Sequence, residues 1–211
     1  MILYDYFRSS AAYRVRIALN LKGLAAQQRF VHLRRGEQHA SAYRQVNAQE
    51  LVPTLEVEGQ RIAQSLAIIE YLEERHPAPP LLPPSAEDRA WVRSVALAIA
   101  CDIHPIDNLR VLQYLAGPLA IDEPRRDAWY RHWIETGFAA LESQLAARSS
   151  GDFCFGAAPT LADVFLIPQV ANARRAGLAL DAFPRILAID RACVALPAFD
   201  RARPENQPDA E

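Results

Sequence analysis

The stretch ILYDYFRSSAAYRVRIALNLKG, residues 2–23, decides how the rest of the chain is read. It opens on an apolar and aromatic run, 2–6, of the kind that forms strands. It then passes through Arg8-Ser9-Ser10 into a helical pattern over 10–22. Val15, Ala18, Leu19 and Lys22 share one face of that helix, and Gly23 ends it. A strand that feeds directly into a helix is the first half of a crossover unit. Serines at such a junction cap the helix. They also stand beside its first N–H groups, where an anion is favoured.

Working outward, residues 28–33 read as a second strand and 38–46 as a short helix or helical turn. Over 53–58, Leu55 and Val57 alternate with Thr54, Glu56 and Glu58, which is the period of a strand. Gly59-Gln60 turns the chain, and 61–63 return as a strand. Ser65 is expected to cap a helix running to 75, stopped by Pro77. The resulting order is β-α-β-α-β-β-α, a crossover followed by a hairpin.

HPAPPLLPP, residues 76–84, is a stiff proline-rich linker. Everything beyond it reads as helical. A long pattern over 85–115 is interrupted by Pro105, which should kink or break it. Pro124 opens a helix ending near 148, before Ser149-Ser150-Gly151. In PTLADVFLIPQV, 159–170, Thr160 and Asp163 have capping-box spacing, which assigns them to folding. A last helix follows Pro184, and the tail from 203 reads as loose. The expected fold is α/β plus all-α. Residues 1–80 form a domain with a mixed four-stranded sheet, and 85–211 form an all-helical domain.

The composition narrows the function. Of 211 residues, 51% are hydrophobic and 23% charged, with a net charge of −2, as in soluble globular proteins. That balance argues against a nucleic-acid partner. No apolar run of about 18 residues exists to span a membrane, and no secretory signal opens the chain. Cys101, Cys154 and Cys193 are scattered and odd in number, which fits reduced thiols in the cytoplasm. Cys101 reads as a small buried hydrophobe. Cys101 and His104 lack a second ligand pair, so no metal is expected.

Two further motifs point to a ligand. In LVPTLEV, 51–57, Pro53 precedes a strand. On the residues alone, a trans proline opening an edge strand is the reading to prefer, since only about 5–6% of X-Pro bonds are cis. A cis bond would instead offer the Val52 N–H and C=O to a peptide, which could add there as a short strand. In IAQSLAIIEYL, 62–72, Ser65 reads as a cap or as one end of a carboxylate site, with Gln64 beside it for the same anion or for an amine.

Taken together, YFRSSAAYRVRIALNLKG (6–23), NAQELVPTLEV (47–57), IAQSLAIIEYLEE (62–74) and PTLADVFLIPQV (159–170) resemble the glutathione transferase superfamily, and within it the zeta class. The resemblance covers the whole chain. It implies a thioredoxin-like N-terminal domain, a helical C-terminal domain and a homodimer. It further implies that Val52-Pro53 is cis and holds the cysteinyl backbone of glutathione. Gln64 and Ser65 would hold the γ-glutamyl end, Gln49 would make a further contact, and Ser9 would face the thiol with Ser10 near the cap. Where the class usually has Ser-Ser-Cys, this chain has Ser9-Ser10-Ala11, so glutathione must supply the only thiol. CDIHPIDNLRVLQYL, 101–115, is similar to the bacterial branch that isomerises maleylpyruvate.

The activity so implied is glutathione-dependent cis–trans isomerisation of a maleyl keto acid, maleylpyruvate or maleylacetoacetate, in the breakdown of aromatic compounds. A dianionic substrate calls for arginines. Arg8 is the first candidate, with Arg110 and Arg175, or Arg174 in its place, from the helical domain. His104 and Asn108 share a helix face if Pro105 only kinks its helix, and are assigned to the glutathione or substrate side. Arg14 and Arg16 read as structural or surface residues. Two rival readings use the same fold. One is a general glutathione transferase or halo-acid dehalogenase. The other is a non-catalytic interaction protein.

Overall fold

A computed structural model describes residues 1–148 and 151–211. The described residues form two compact units, Met1–Leu81 with Val194–Glu211, and Leu82–Cys193.

In the first unit the strands are β1 (Ile2–Asp5), β2 (Gln27–Phe30), β3 (Thr54–Val57) and β4 (Gln60–Ala63). Their order across the sheet is β2-β1-β3-β4. β1 and β2 run parallel, as a crossover requires, and the β3–β4 hairpin adds antiparallel to β1. Helix α1 (Ser10–Leu21) makes the crossover, α2 (Ser41–Arg44) is a single turn, and α3 (Ser65–Arg75) follows β4. In β3 Leu55 is fully buried as expected, but Thr54 beside it is buried too and Val57 only partly, so burial along the strand does not alternate as the sequence suggested. β2 ends three residues earlier than the sequence suggested. His32 closes it by capping a 3-10 turn at Leu33–Arg35.

Lys22, the chain's single lysine, is buried at the end of α1. Its ammonium donates to Glu73 Oε2 at 2.7 Å and to the carbonyls of His76 (2.6 Å) and Pro79 (3.0 Å). One buried cation thus closes the C-terminus of α3 and ties down the proline-rich stretch after it.

The tail is not loose. A short helix at Pro197–Asp200 buries Phe199, and Ala202 is buried after it. The Arg16 Nε donates to the Ala202 carbonyl at 3.0 Å, and Asn20 Nδ2 to that of Ala198 at 2.9 Å. Gln28 Nε2 donates at 3.0 Å to both Asp5 Oδ2 and Gln207 Oε1. Polarity made the segment look solvated. Its polar side chains are instead spent on backbone and side-chain partners elsewhere in the unit.

The second unit contains α4 (Ala86–Leu97), α5 (Leu109–Ala116), α6 (Glu123–Arg148), α7 (Leu161–Arg175) and α8, which begins at Pro184. Helix α7 is buried almost all round, the pattern of a central helix. At its start the Thr160 N–H and hydroxyl donate to Asp163 Oδ2 at 2.7 and 2.8 Å, and the Cys154 N–H donates to Oδ1 at 2.8 Å. That is the folding role read from the spacing. Pro105 breaks the long helix rather than kinking it. α4 passes into a π-helical turn, Ala98–Ile103, and the His104 N–H reaches back to the Ile99 carbonyl before the chain turns. Gly137 lies where a Cβ would come within 2.3 Å of Ile103 Cδ1, so α6 can meet this turn only through a glycine. Cys101 is exposed, not buried, because it sits on this turn. Ser149 and Ser150, expected to follow α6, lie outside the described residues.

Candidate functional site

The register of the sheet decides which segments meet. Tyr4 on β1 stands opposite Thr54 on β3, and Thr54 opposite Ala63 on β4. The chain leaves β1 after Asp5, enters β3 through Val52-Pro53 and leaves β4 into Gln64-Ser65. These stretches therefore share one end of the sheet. Two of them are helix starts, whose first N–H groups lack intrahelical acceptors and carry partial positive charge.

At the first start, Ser9 is the cap. Its Oγ accepts the Ala12 N–H at 3.2 Å, and the residue is half-buried. A hydroxyl that accepts still has its hydrogen to donate. Ser10 is the first helical residue and is buried. Arg8 lies on the turn just before them.

At the second start, the cap is Gln64 rather than Ser65, one residue earlier than the sequence suggested. Gln64 has φ +72°, a left-handed value that a residue with a side chain rarely adopts, and its side chain caps nothing. Instead its Nε2 donates to Gln49 Oε1 at 2.8 Å. Ser65 is buried, and its Oγ accepts from Arg14 Nη1 at 3.3 Å. Arg14, read from the sequence as structural or surface, is 2% exposed and braces this position. Nothing in the local pattern of α1 marks it for that role.

Between the two starts, the Val52-Pro53 bond is cis, against the preference of the bare sequence and as the resemblance implied. The residues around it are pinned. Tyr43 Oη and Asn47 Nδ2 donate to the Leu51 carbonyl at 2.7 and 2.8 Å, and Asn47 Nδ2 also reaches Thr54 Oγ1 at 3.2 Å. Among the described residues, the Val52 N–H and C=O have no hydrogen-bond partner. A fixed backbone with an open donor and acceptor beside a sheet suits an extended peptide.

In the second unit, Asn108 is not on one helix with His104. It caps α5, its side chain accepting the Arg110 N–H at 3.2 Å. The turn nonetheless brings its Nδ2 to 3.4 Å from His104 Nε2. Arg110 is exposed on the first turn of α5. At the end of α7, Arg174 pairs with the buried Asp190 at 2.5 Å, which commits it to folding. Arg175 is exposed and donates to Asn172 Oδ1 at 2.7 Å. Asp107, which the sequence reading passed over, is buried with both oxygens unpartnered among the described residues. Burial pushes its carboxyl up to about 7. No group of three or more metal-ligating side chains occurs among the described residues.

The first unit, a crossover and a hairpin with a cis proline opening the third strand, is thioredoxin-like. Its sequence matches the glutathione S-transferase N-terminal domain over residues 3–80, and the glutathione S-transferase C-terminal domain matches 123–189. The chain belongs to the glutathione S-transferase family. It is 51% identical to a probable maleylacetoacetate isomerase of Vibrio cholerae, across 100% of this chain and 98% of that one. A solved maleylpyruvate isomerase, described as a bacterial glutathione S-transferase of the zeta class, superposes with a TM-score of 0.98. It has 47% identity, and both chains are covered in full. The maleylacetoacetate isomerase of Anaeromyxobacter dehalogenans, solved with dicarboxyethyl glutathione and citrate, has a TM-score of 0.88 and 44% identity, covering 99% of this chain and 96% of that one.

Proposed function

We propose that this protein isomerises a maleyl keto acid, maleylpyruvate or maleylacetoacetate, to its fumaryl isomer with glutathione as cofactor, in the catabolism of aromatic compounds. The observation that carries the reading is the end of the sheet in the first unit. Two helix starts, a capping serine with a hydrogen still to donate and the open Val52 backbone lie there together. These groups fit an acidic thiol tripeptide. Val52 and the cis Pro53 hold its backbone, Gln64, Ser65 and Gln49 hold its γ-glutamyl end, and Ser9 holds its sulfur, with Ser10 behind it.

When bound, glutathione supplies a thiolate that adds reversibly to the cis double bond and leaves the trans isomer. The task of the chain is to keep that sulfur deprotonated. A free thiol titrates near 8.5, and lowering it by two units takes about 2.7 kcal/mol. A helix start contributes about 0.3–1 kcal/mol, which is too little alone. The Ser9 hydroxyl, donating to an anion, adds about 1.5–3 kcal/mol and closes the gap. Arg8, Arg110 and Arg175 hold the substrate's carboxylates and its developing enolate, and His104 and Asn108 line the ligand side. Residues 1–80 bind glutathione and the helical residues from 85 onward bind the keto acid. The enzyme works as a homodimer in the cytoplasm, a setting that suits its three free cysteines. The dicarboxyethyl glutathione bound in the Anaeromyxobacter relative, a glutathione carrying two carboxylates, is the kind of ligand this reaction calls for.

The test follows glutathione and maleyl substrate together during turnover. Isomerisation keeps glutathione constant while the maleyl acid is converted. Stoichiometric loss of glutathione would make the protein a transferase instead.

A further inference from the structure

The turn that carries Arg8 and Ser9 is held from unusually far away. The Tyr6 N–H donates to Asp5 Oδ1 at 2.7 Å, and the Ser9 N–H to the Tyr6 carbonyl at 2.9 Å. The Phe7 carbonyl accepts from Arg16 Nη2 at 3.0 Å. These ties are local. The Phe7 N–H, two residues before Ser9, donates to Asp209 Oδ2 at 3.0 Å across 202 residues of sequence. The other Asp209 oxygen is buried and has no hydrogen-bond partner among the described residues, so the Phe7 N–H is the long-range hydrogen bond this carboxylate makes. Around it the tail is fastened on both sides. Gln207 is buried against Gln28 at 3.0 Å, and Glu211 accepts from His32 at 2.9 Å and Arg35 at 2.8 Å. Arg16, which holds the Phe7 carbonyl and pairs with Asp5 at 2.7 Å, is itself bonded to the tail at the Ala202 carbonyl.

We infer that Asp209 is a positioning residue for the reaction, acting through the backbone of Phe7 on the direction of Ser9 and Arg8. The inference rests on the proposed role of Ser9 toward glutathione sulfur. A cap hydroxyl is aimed by the dihedral angles of the residues leading into it. An N–H that loses its acceptor turns toward water and carries those angles with it. A small misplacement of a catalytic group is enough to cost an order of magnitude in rate.

The experiment compares the full-length parent with Asp209→Ala, Asp209→Asn, Asp209→Leu and, as a control on the same tail, Glu211→Ala. Two quantities are read: the ultraviolet titration of the thiolate of bound glutathione, and kcat and KM for the maleyl acid. D209A is expected to raise the apparent thiol pKa and to lower kcat by about tenfold, with KM for glutathione changing less. D209N keeps an oxygen for the Phe7 N–H and should recover most of both. E211A keeps the acceptor of the Phe7 N–H and should move both quantities less than D209A does. Should D209A fail to fold, D209L keeps the volume without the acceptor and carries the same expectation. A parent-like titration and kcat in D209A or D209L overturns the inference, as does a D209N no better than D209A. A parent that binds no glutathione overturns the reading of the site itself, and this inference with it.

Discussion

Arg14 Nη1 donates to Ser65 Oγ at 3.3 Å and so joins the starts of α1 and α3, the two helices that open at the same end of the sheet. The guanidinium is almost wholly buried, and the serine it braces is the one assigned to the γ-glutamyl end of glutathione.

Arg14→Met keeps the length of the side chain and removes the donor. Glutathione affinity is expected to fall by about tenfold, the worth of one charge-assisted hydrogen bond at the low end of its range. Isothermal calorimetry measures it. Unaltered affinity in a folded R14M would detach Ser65 from Arg14.

Ser9→Ala removes a cap and a thiol-facing hydroxyl at once. The first costs about 1 kcal/mol of stability. The second raises the apparent pKa of bound glutathione toward the free-thiol value near 8.5. Ser9→Thr retains both functions and should restore both toward the parent. Denaturant unfolding and thiolate absorbance read them independently, and an unmoved thiolate in S9A removes Ser9 from the chemistry.

Gln64 holds a left-handed φ of +72° while its side chain bonds Gln49. Gln64→Gly relieves backbone strain of about 1–3 kcal/mol and adds chain entropy to the unfolded state of similar order. Stability should therefore change little, while glutathione binding weakens because the amide is gone. A variant that is much less stable would show that Gln64 serves the fold instead.

Asp5 and Arg16 form a buried ion pair at 2.7 Å. Asp5→Ala leaves an uncompensated guanidinium in the interior and is expected to cost about 3–5 kcal/mol. The midpoint of urea unfolding measures the loss, and a shift of less than about 1 kcal/mol would contradict it.

Asp107 gives a pH dependence of definite sign. Burial raises its carboxyl to about 7, above the ordinary carboxylate value. Between roughly pH 4 and pH 7 the native state keeps a proton that the unfolded chain has released, so this residue lowers stability as pH rises through that window. The slope from one such group approaches about 1.4 kcal/mol per pH unit. Asp107→Asn should flatten the stability profile there and gain most on the parent above pH 7. Parallel profiles for the two proteins would refute the assignment.

What the sequence disclosed follows from range. The strands and helices of the first 80 residues were readable because their signals, the strand-forming residues of β3 and a cap with a stop on α1, are local. Ser9, Val52-Pro53 and Gln64-Ser65 stood out because each sits at a junction between elements. Errors of one residue, such as Ser65 for Gln64 as the cap, arise because a backbone angle of +72° leaves no mark on composition. Pro105 announced a break, but not the π turn that precedes it. Asp107 and Asp209 escaped notice, and the particular partner of Arg14 went unread, for one shared reason. Their surroundings are set by partners, or by an absence of partners, far along the chain.

The unit that begins this chain includes residues 194–211. When the ribosome has just added Leu81, the strapping segment for the β-sheet of that unit is therefore not yet made. At about 5–20 residues per second, that segment follows only some ~7–25 s later. During that interval the nascent sheet must wait, with the Gln28 and Phe7 amides facing water, while the helical unit emerges and folds. For this protein, synthesis order and folding order cannot coincide.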